Sequence, residues 1–151
     1  MRRARLPRWH AAAALLALGL GLIAISTSSA ASKATRTIRV AIMTDCKGAF
    51  GFGYEPDIGG AQAAFANFAG GKARNRKKPS AGMTGIRAGG ANIKIVGYGC
   101  GNDTVPLAVT ETKRLMERLK ADVMIGPLSG DEAVSVANYA RTHPKKTFII
   151  G

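Results

Sequence analysis

The chain has 151 residues and carries 22 Lys and Arg against nine Asp and Glu, a net charge of +13, with two cysteines, two histidines and one tryptophan. Four of the arginines, together with Trp9 and His10, fall within the first 30 residues; without that segment the charge is +9 and His143 is the only histidine. This excludes His-rich metal centres and most His-based catalysis, and the roughly 120 residues that follow match one small domain.

The N-terminal segment has the pattern of a secretory signal peptide over residues 1–30. Arg2, Arg3, Arg5 and Arg8 form a basic start, Ala11 to Ile25 are apolar or glycine, and Ser28-Ser29-Ala30 is a small-residue cleavage pattern. The apolar run is short for a membrane span, which needs about 20 residues. The mature chain is therefore expected to begin near Ala31, with 31–36 as a linker, and to be exported to the periplasm or the medium. Cys46 and Cys100 then meet an oxidising compartment, where a disulfide is the default.

The elements that follow alternate. Thr37 to Thr44 (TIRVAIMT) reads as a buried strand. A helix is predicted from about Pro56 to Ala69, with Ile58, Ala61, Phe65, Phe68 and Ala69 on its apolar face and Gly70-Gly71 as its stop. Residues 72–90, rich in Gly, Pro and basic side chains, read as a loop. Ala91 to Tyr98 is a second strand. Thr104 to Lys120 is a second helix, with Val105, Ala108, Val109, Thr112, Leu115, Met116 and Leu119 inward and Glu111 and Arg114 able to pair. Asp122 to Ile125 is a third strand. Asp131 to Thr142 is a third helix with Ala133, Val136, Ala137 and Ala140 inward, and Lys146 to Ile150 opens a fourth strand. The order β-α-β-α-β-α-β predicts a three-layer α/β/α fold around a parallel sheet. Ligands of such sheets bind beyond the carboxyl ends of the strands, here Asp45 to Glu55, Gly99 to Asp103 and Gly126 to Asp131. If the first two strands are neighbours, Cys46 and Cys100 at their ends are within disulfide reach.

The segments TIRVAIMT, FANFAGG, ANIKIVGYGCGND and ADVMIGPLSG, in this order, resemble the first lobe of the type I periplasmic substrate-binding proteins of ABC transporters, the branched-chain amino-acid family. The likeness runs from Thr37 to Gly151. It implies a partial first lobe over 37–151, with 72–90 as a basic insertion. It also implies capture of an amino acid or similar small polar ligand, and delivery to a membrane permease of an ABC transporter. In that family the loop matching Ser129, Gly130 and Asp131 holds a ligand carboxylate at a helix N-terminus, and the loop matching Phe52 and Tyr54 forms an aromatic wall. These five residues are the expected ligand contacts. Here Ser129 is followed by Gly130 and Asp131 instead of a second hydroxyl residue, and Asp131 could instead pair with an ammonium group.

Other readings compete. Ser129 and Glu132 also fit a capping box. Gly51-Phe52-Gly53 lacks the third glycine of a dinucleotide fingerprint, because Pro56 stands in its place. Lys72, Arg74, Arg76, Lys77 and Lys78 read either as a solvated loop or as a weak contact for an anionic surface; nucleic acid is not expected as a partner of an exported protein. A sensor domain of the same fold and, less favoured, a small secreted α/β enzyme using Asp45, Asp103 or Asp131 are the alternative functions. No catalytic residue, metal or cofactor is expected.

Overall fold

The computed structural model describes residues 36–150; the predicted signal peptide and linker start lie outside that range. Seven strands and three helices follow: β1 (Thr37–Asp45), α1 (Tyr54–Ala69), β2 (Lys72–Ala73), β3 (Met83–Thr84), β4 (Arg87–Ala88), β5 (Ala91–Gly101), α2 (Val105–Lys113), β6 (Val123–Ile125), α3 (Gly130–Arg141) and β7 (Thr147–Ile149). The main sheet has the order β4-β5-β1-β6-β7, with β5, β1, β6 and β7 parallel and the short β4 antiparallel at one edge. The predicted α/β architecture with a parallel sheet is the one observed.

β1 lies at the centre, and its side chains from Val40 to Asp45 are all buried. One face presents Ala41 and Met43 to α2 and α3, in a core with Ala108, Leu115, Met116, Ala121, Met124 and Val136. The other face carries Val40, Ile42 and Thr44, with α1 laid against it; the Thr44 hydroxyl donates to Asp57 on α1 at 2.5 Å. Val96 forms a bulge opposite Val40 and Ala41, which resets the register. Gly97, Gly99 and Gly101 are thereby brought opposite Ala41, Met43 and Asp45. A Cβ on Gly97 would come within 2.5 Å of Leu119, and one on Gly99 within 3.0 Å of Leu115, so the glycines let the segment after α2 close onto the sheet.

Four local expectations are corrected. Phe68 is 86% exposed. At about 100° per residue it lies roughly 80° off the direction of Ile58, whereas Gln62, closer to that direction, is the residue buried. Gln62 is satisfied there by donating to Pro79 O at 2.7 Å and to the Tyr98 hydroxyl at 2.8 Å. Val105, the first residue of α2, is 45% exposed. The second helix is not uniform to Lys120: after Lys113 the backbone widens into a π turn over Arg114–Arg118, which leaves both Leu115 and Met116 buried. Segment 72–90 is not irregular throughout. β2 pairs with β3, β4 pairs with β5, and Glu55 and Gln62 on α1 hold the stretch around Pro79 and Ser80.

The disulfide between Cys46 and Cys100 is formed, because β1 and β5 are direct neighbours and their ends lie side by side with Cα atoms 5.0 Å apart. The bond closes a loop with a sequence separation of 54. By loop-closure entropy, Cys46→Ser with Cys100→Ser is expected to lower stability by about 4 kcal/mol, read from denaturant unfolding of parent and double variant. Gly126 has φ +98°, and a Cβ there would collide with the Met43 carbonyl oxygen of the central strand. Gly126→Ala is expected to cost about 3 kcal/mol or more by the same measurement; a loss under about 1 kcal/mol would show that β1 can shift to accept it.

Candidate functional site

The three predicted edge segments converge. After β1, residues 46–50 turn back and Gly51–Gly53 make a single 3-10 turn leading into α1. The first of these loops is fastened to the end of β5 by the disulfide and by Cys46 N–H donating to Gly101 O at 3.1 Å. The loop after β5 is fastened in turn by Asp103 N–H donating to Asp45 Oδ1 at 2.9 Å and Asn102 N–H donating to Glu132 Oε1 at 3.1 Å. After β6, residues 126–129 lead into α3.

Between these loops lies a cavity of about 630 Å³. Phe50, Phe52, Pro56 and Leu128 supply its apolar walls, and Asp57, Asp103, Ser129, Gly130 and Asp131 its polar ones. A smaller cavity of about 140 Å³ shares Asp57 and Leu128 with it and reaches the ends of β1 and β6 at Thr44 and Ile125. Gly53 permits the close approach of the walls, since a Cβ there would lie 3.0 Å from Asp57 and 3.4 Å from Leu128.

Four of the five expected contacts, Phe52, Ser129, Gly130 and Asp131, line this cavity. Tyr54 is not among its lining residues. It is half-buried at the start of α1; burial first, and then the charge of Glu55, push its phenol pKa up, and it also senses Arg114 and Glu111. Phe52 is 81% exposed, so that side of the cavity is open. Asp57, Asp103 and Leu128 are lining residues that the sequence pattern did not single out as ligand contacts. Asp57 lies in the first turn of α1, where the helix dipole favours an acid without any ligand. Asp103 was visible only as one carboxylate among several at the sheet edge; its left-handed backbone, φ 63°, turns the loop so that its side chain meets Ser129.

The capping box does not form. Ser129 occupies the N-cap position of α3 without a side-chain cap bond, and its hydroxyl donates to Asp103 Oδ1. Glu132 is fully buried and turns toward the sheet. There it faces Asp45, also fully buried, across Gly101: a Cβ at that glycine would lie 2.5 Å from oxygens of both carboxyls. Asp45 Oδ2 and Glu132 Oε2 have no hydrogen-bond partner. Burial, opposed by the amide N–H groups of Asn102 to Thr104 and reinforced by the Asp45 charge, raises the Glu132 pKa. Neither carboxyl is open to a substrate, so the pair works as the mount of the 101–104 loop. On the opposite side of β5, Arg114 pairs with Glu111 at 2.7 Å, holding the Glu111 pKa down, and donates to Tyr98 O at 2.7 Å, as the predicted pair required.

Lys72, Arg74, Arg76, Lys77 and Lys78 are all exposed and none lines the cavity. Among the described residues no three His, Cys, Asp or Glu side chains are grouped to hold a metal ion, and no helix is long and apolar enough to cross a membrane.

No family model and no curated protein matches the chain. Solved structures do. An ABC transporter solute-binding protein from R. palustris, determined in complex with benzoate, is 21% identical with a TM-score of 0.53 over 75% of this chain and 27% of its own. An extracellular ligand-binding receptor from Rhodopseudomonas palustris HaA2 is 20% identical with a TM-score of 0.50 over 76% of this chain and 26% of its own. The fold is thus that of a type I periplasmic binding lobe, as the sequence resemblance implied. The chain spans about a quarter of the length of these structures.

Because the Glu132 pKa is raised above its ordinary 4.5, the stability tied to its neutral form is complete below that pH and is lost as pH rises through the raised value. Glu132→Gln keeps a neutral side chain at every pH. Its thermal midpoint is expected to exceed the parent's at pH 7 by roughly 3 °C or more, with the difference vanishing near pH 4. Equal midpoints at both pH values would mean that Glu132 is not strained by its charge.

Proposed function

We propose that the chain is the ligand-capturing part of an extracytoplasmic solute-binding protein that takes up an amino acid or similar small polar molecule and passes it to the membrane permease of an ABC transporter. The supporting observation is the cavity at the carboxyl ends of the parallel strands, where rings from one loop face a polar helix start from another. The solved structures of like fold are a solute-binding protein and a ligand-binding receptor, which supports binding over catalysis. The benzoate in the first shows that a partner of this fold need not be an amino acid. The signal-peptide pattern supports a periplasmic or secreted location. The extracellular ligand-binding receptor among the structures of like fold supports a sensor as the second reading. The exposed cations Lys72, Arg74, Arg76, Lys77 and Lys78 support a weak contact with an anionic membrane surface. Pelleting with phosphatidylserine vesicles that persists in high salt would contradict an electrostatic contact.

A site open beside Phe52 encloses its ligand only in part, so the expected affinity of the chain for leucine or phenylalanine is weak, with Kd about 1 mM. Amide chemical-shift titration of the full chain checks this. Saturable shifts at residues 50–57 and 128–131, weakened about threefold by Phe52→Ala, support the reading. Shifts confined to other surfaces would remove it.

A further inference from the structure

The chain is strongly basic, yet its charges are separated in space. Of its nine acidic residues, Asp57, Asp103 and Asp131 line the large cavity, and Asp45 and Glu132 lie buried behind the loop that carries Asp103. No Lys or Arg is among the cavity's lining residues. Lys47 is the single cation in the three edge segments, and it is exposed and outside the lining.

This arrangement bears on which end of a ligand the cavity accepts. A hydroxyl and a helix start would suit a carboxylate, but the Ser129 hydroxyl is already donated to Asp103. The positive end of the α3 dipole already has Asp131 and Glu132 in its first turn. An anion entering here would give up its hydration against three carboxylates with no counter-charge to replace it. A cation would meet them with favourable sign, and it would also meet the faces or edges of Phe50 and Phe52, which attract cations when presented face-on. Pro56 and Leu128 complete an apolar surface for the uncharged part of the molecule.

We infer that the cavity binds the cationic, amine-bearing end of an amphipathic small molecule, with its apolar body against Phe50, Phe52 and Leu128, and that this wall does not hold a ligand carboxylate. The inference rests on the binding function proposed above and specifies its ligand class. Asp103 and Asp131 supply the negative field at the mouth, and Asp57 supplies it deeper, beside Thr44.

Benzylammonium and benzoate share a ring and differ in the sign of their charge, and they separate the possibilities in a titration of the full chain at pH 7 followed by amide chemical shifts. Benzylammonium is expected to shift residues 51–57, 103 and 128–131 saturably and to bind roughly tenfold more tightly than benzoate, less so as salt is raised. Asp131→Asn, at an exposed position, is expected to weaken benzylammonium roughly threefold while leaving benzoate unchanged or improved. Asp103→Asn keeps an oxygen for the Ser129 hydroxyl and tolerates the left-handed backbone, and it is expected to act in the same direction. Benzoate binding at these residues as tightly as benzylammonium, or more so, would overturn the charge preference while leaving the cavity a ligand site. If neither probe shifts these residues saturably, the binding function itself falls, and this inference with it.

Discussion

β1 is paired on both edges and covered on both faces, and the loops around the cavity hang from its last residues. Its buried run from Val40 to Asp45 leaves the strand no freedom of register, since a slip by one residue would exchange the Ala41 and Met43 face for the Val40, Ile42 and Thr44 face. The position of Asp45 and Cys46 follows from that constraint. Cys46 then ties the first edge loop to β5 by a covalent bond, and Asp45 receives the amide of Asp103 in the second. The third segment leaves β6 where Gly126 passes under the Met43 carbonyl, so it too is placed by the central strand.

The buried carboxyls are the costly part of this arrangement. Two acids facing each other across Gly101 lose hydration, and one oxygen of each has no partner. Amide donors from residues 102 and 103 offset part of that loss and, in doing so, hold the loop that brings Asp103 to Ser129. The loops at the cavity mouth are therefore held by the disulfide and by polar groups in the interior. That suits a wall whose apolar side chains, Phe50 and Phe52, are left partly or largely exposed.

Much of the fold was legible in local patterns. The alternation of β-rich runs with amphipathic segments identified the four parallel strands and three helices in order, and the three edge loops followed from the rule for parallel sheets. Helix faces were less legible where a polar residue is buried with a distant partner. Gln62 is inward because Pro79 and Tyr98 receive its amide, and Glu132 is inward because the Asn102 amide donates to it, against the charge of Asp45 beside it. In α1 the periodicity of apolar residues points to Phe68 instead, and in α3 the Ser-x-x-Glu spacing points to a capping role for Glu132. The 72–90 segment was misread for a related reason: its strands are two residues long and are held by Glu55 and Gln62 on a different element.

What the sequence by itself determined is the class of fold, the cysteine pairing once two strands are neighbours, and the loops that line the cavity. These depend on backbone propensity, hydrophobic period and chain order, which are local properties. Only the tertiary structure decided which way side chains at those loops turn. It directed the Ser129 hydroxyl to Asp103, moved Glu132 inside, set Tyr54 apart from the cavity, and gathered Asp57, Asp103 and Asp131 around it. The physical reason is that hydrogen bonding and charge at the edge couple residues as far apart as Asp45 and Asp103, or Asn102 and Glu132, which no local window brings together.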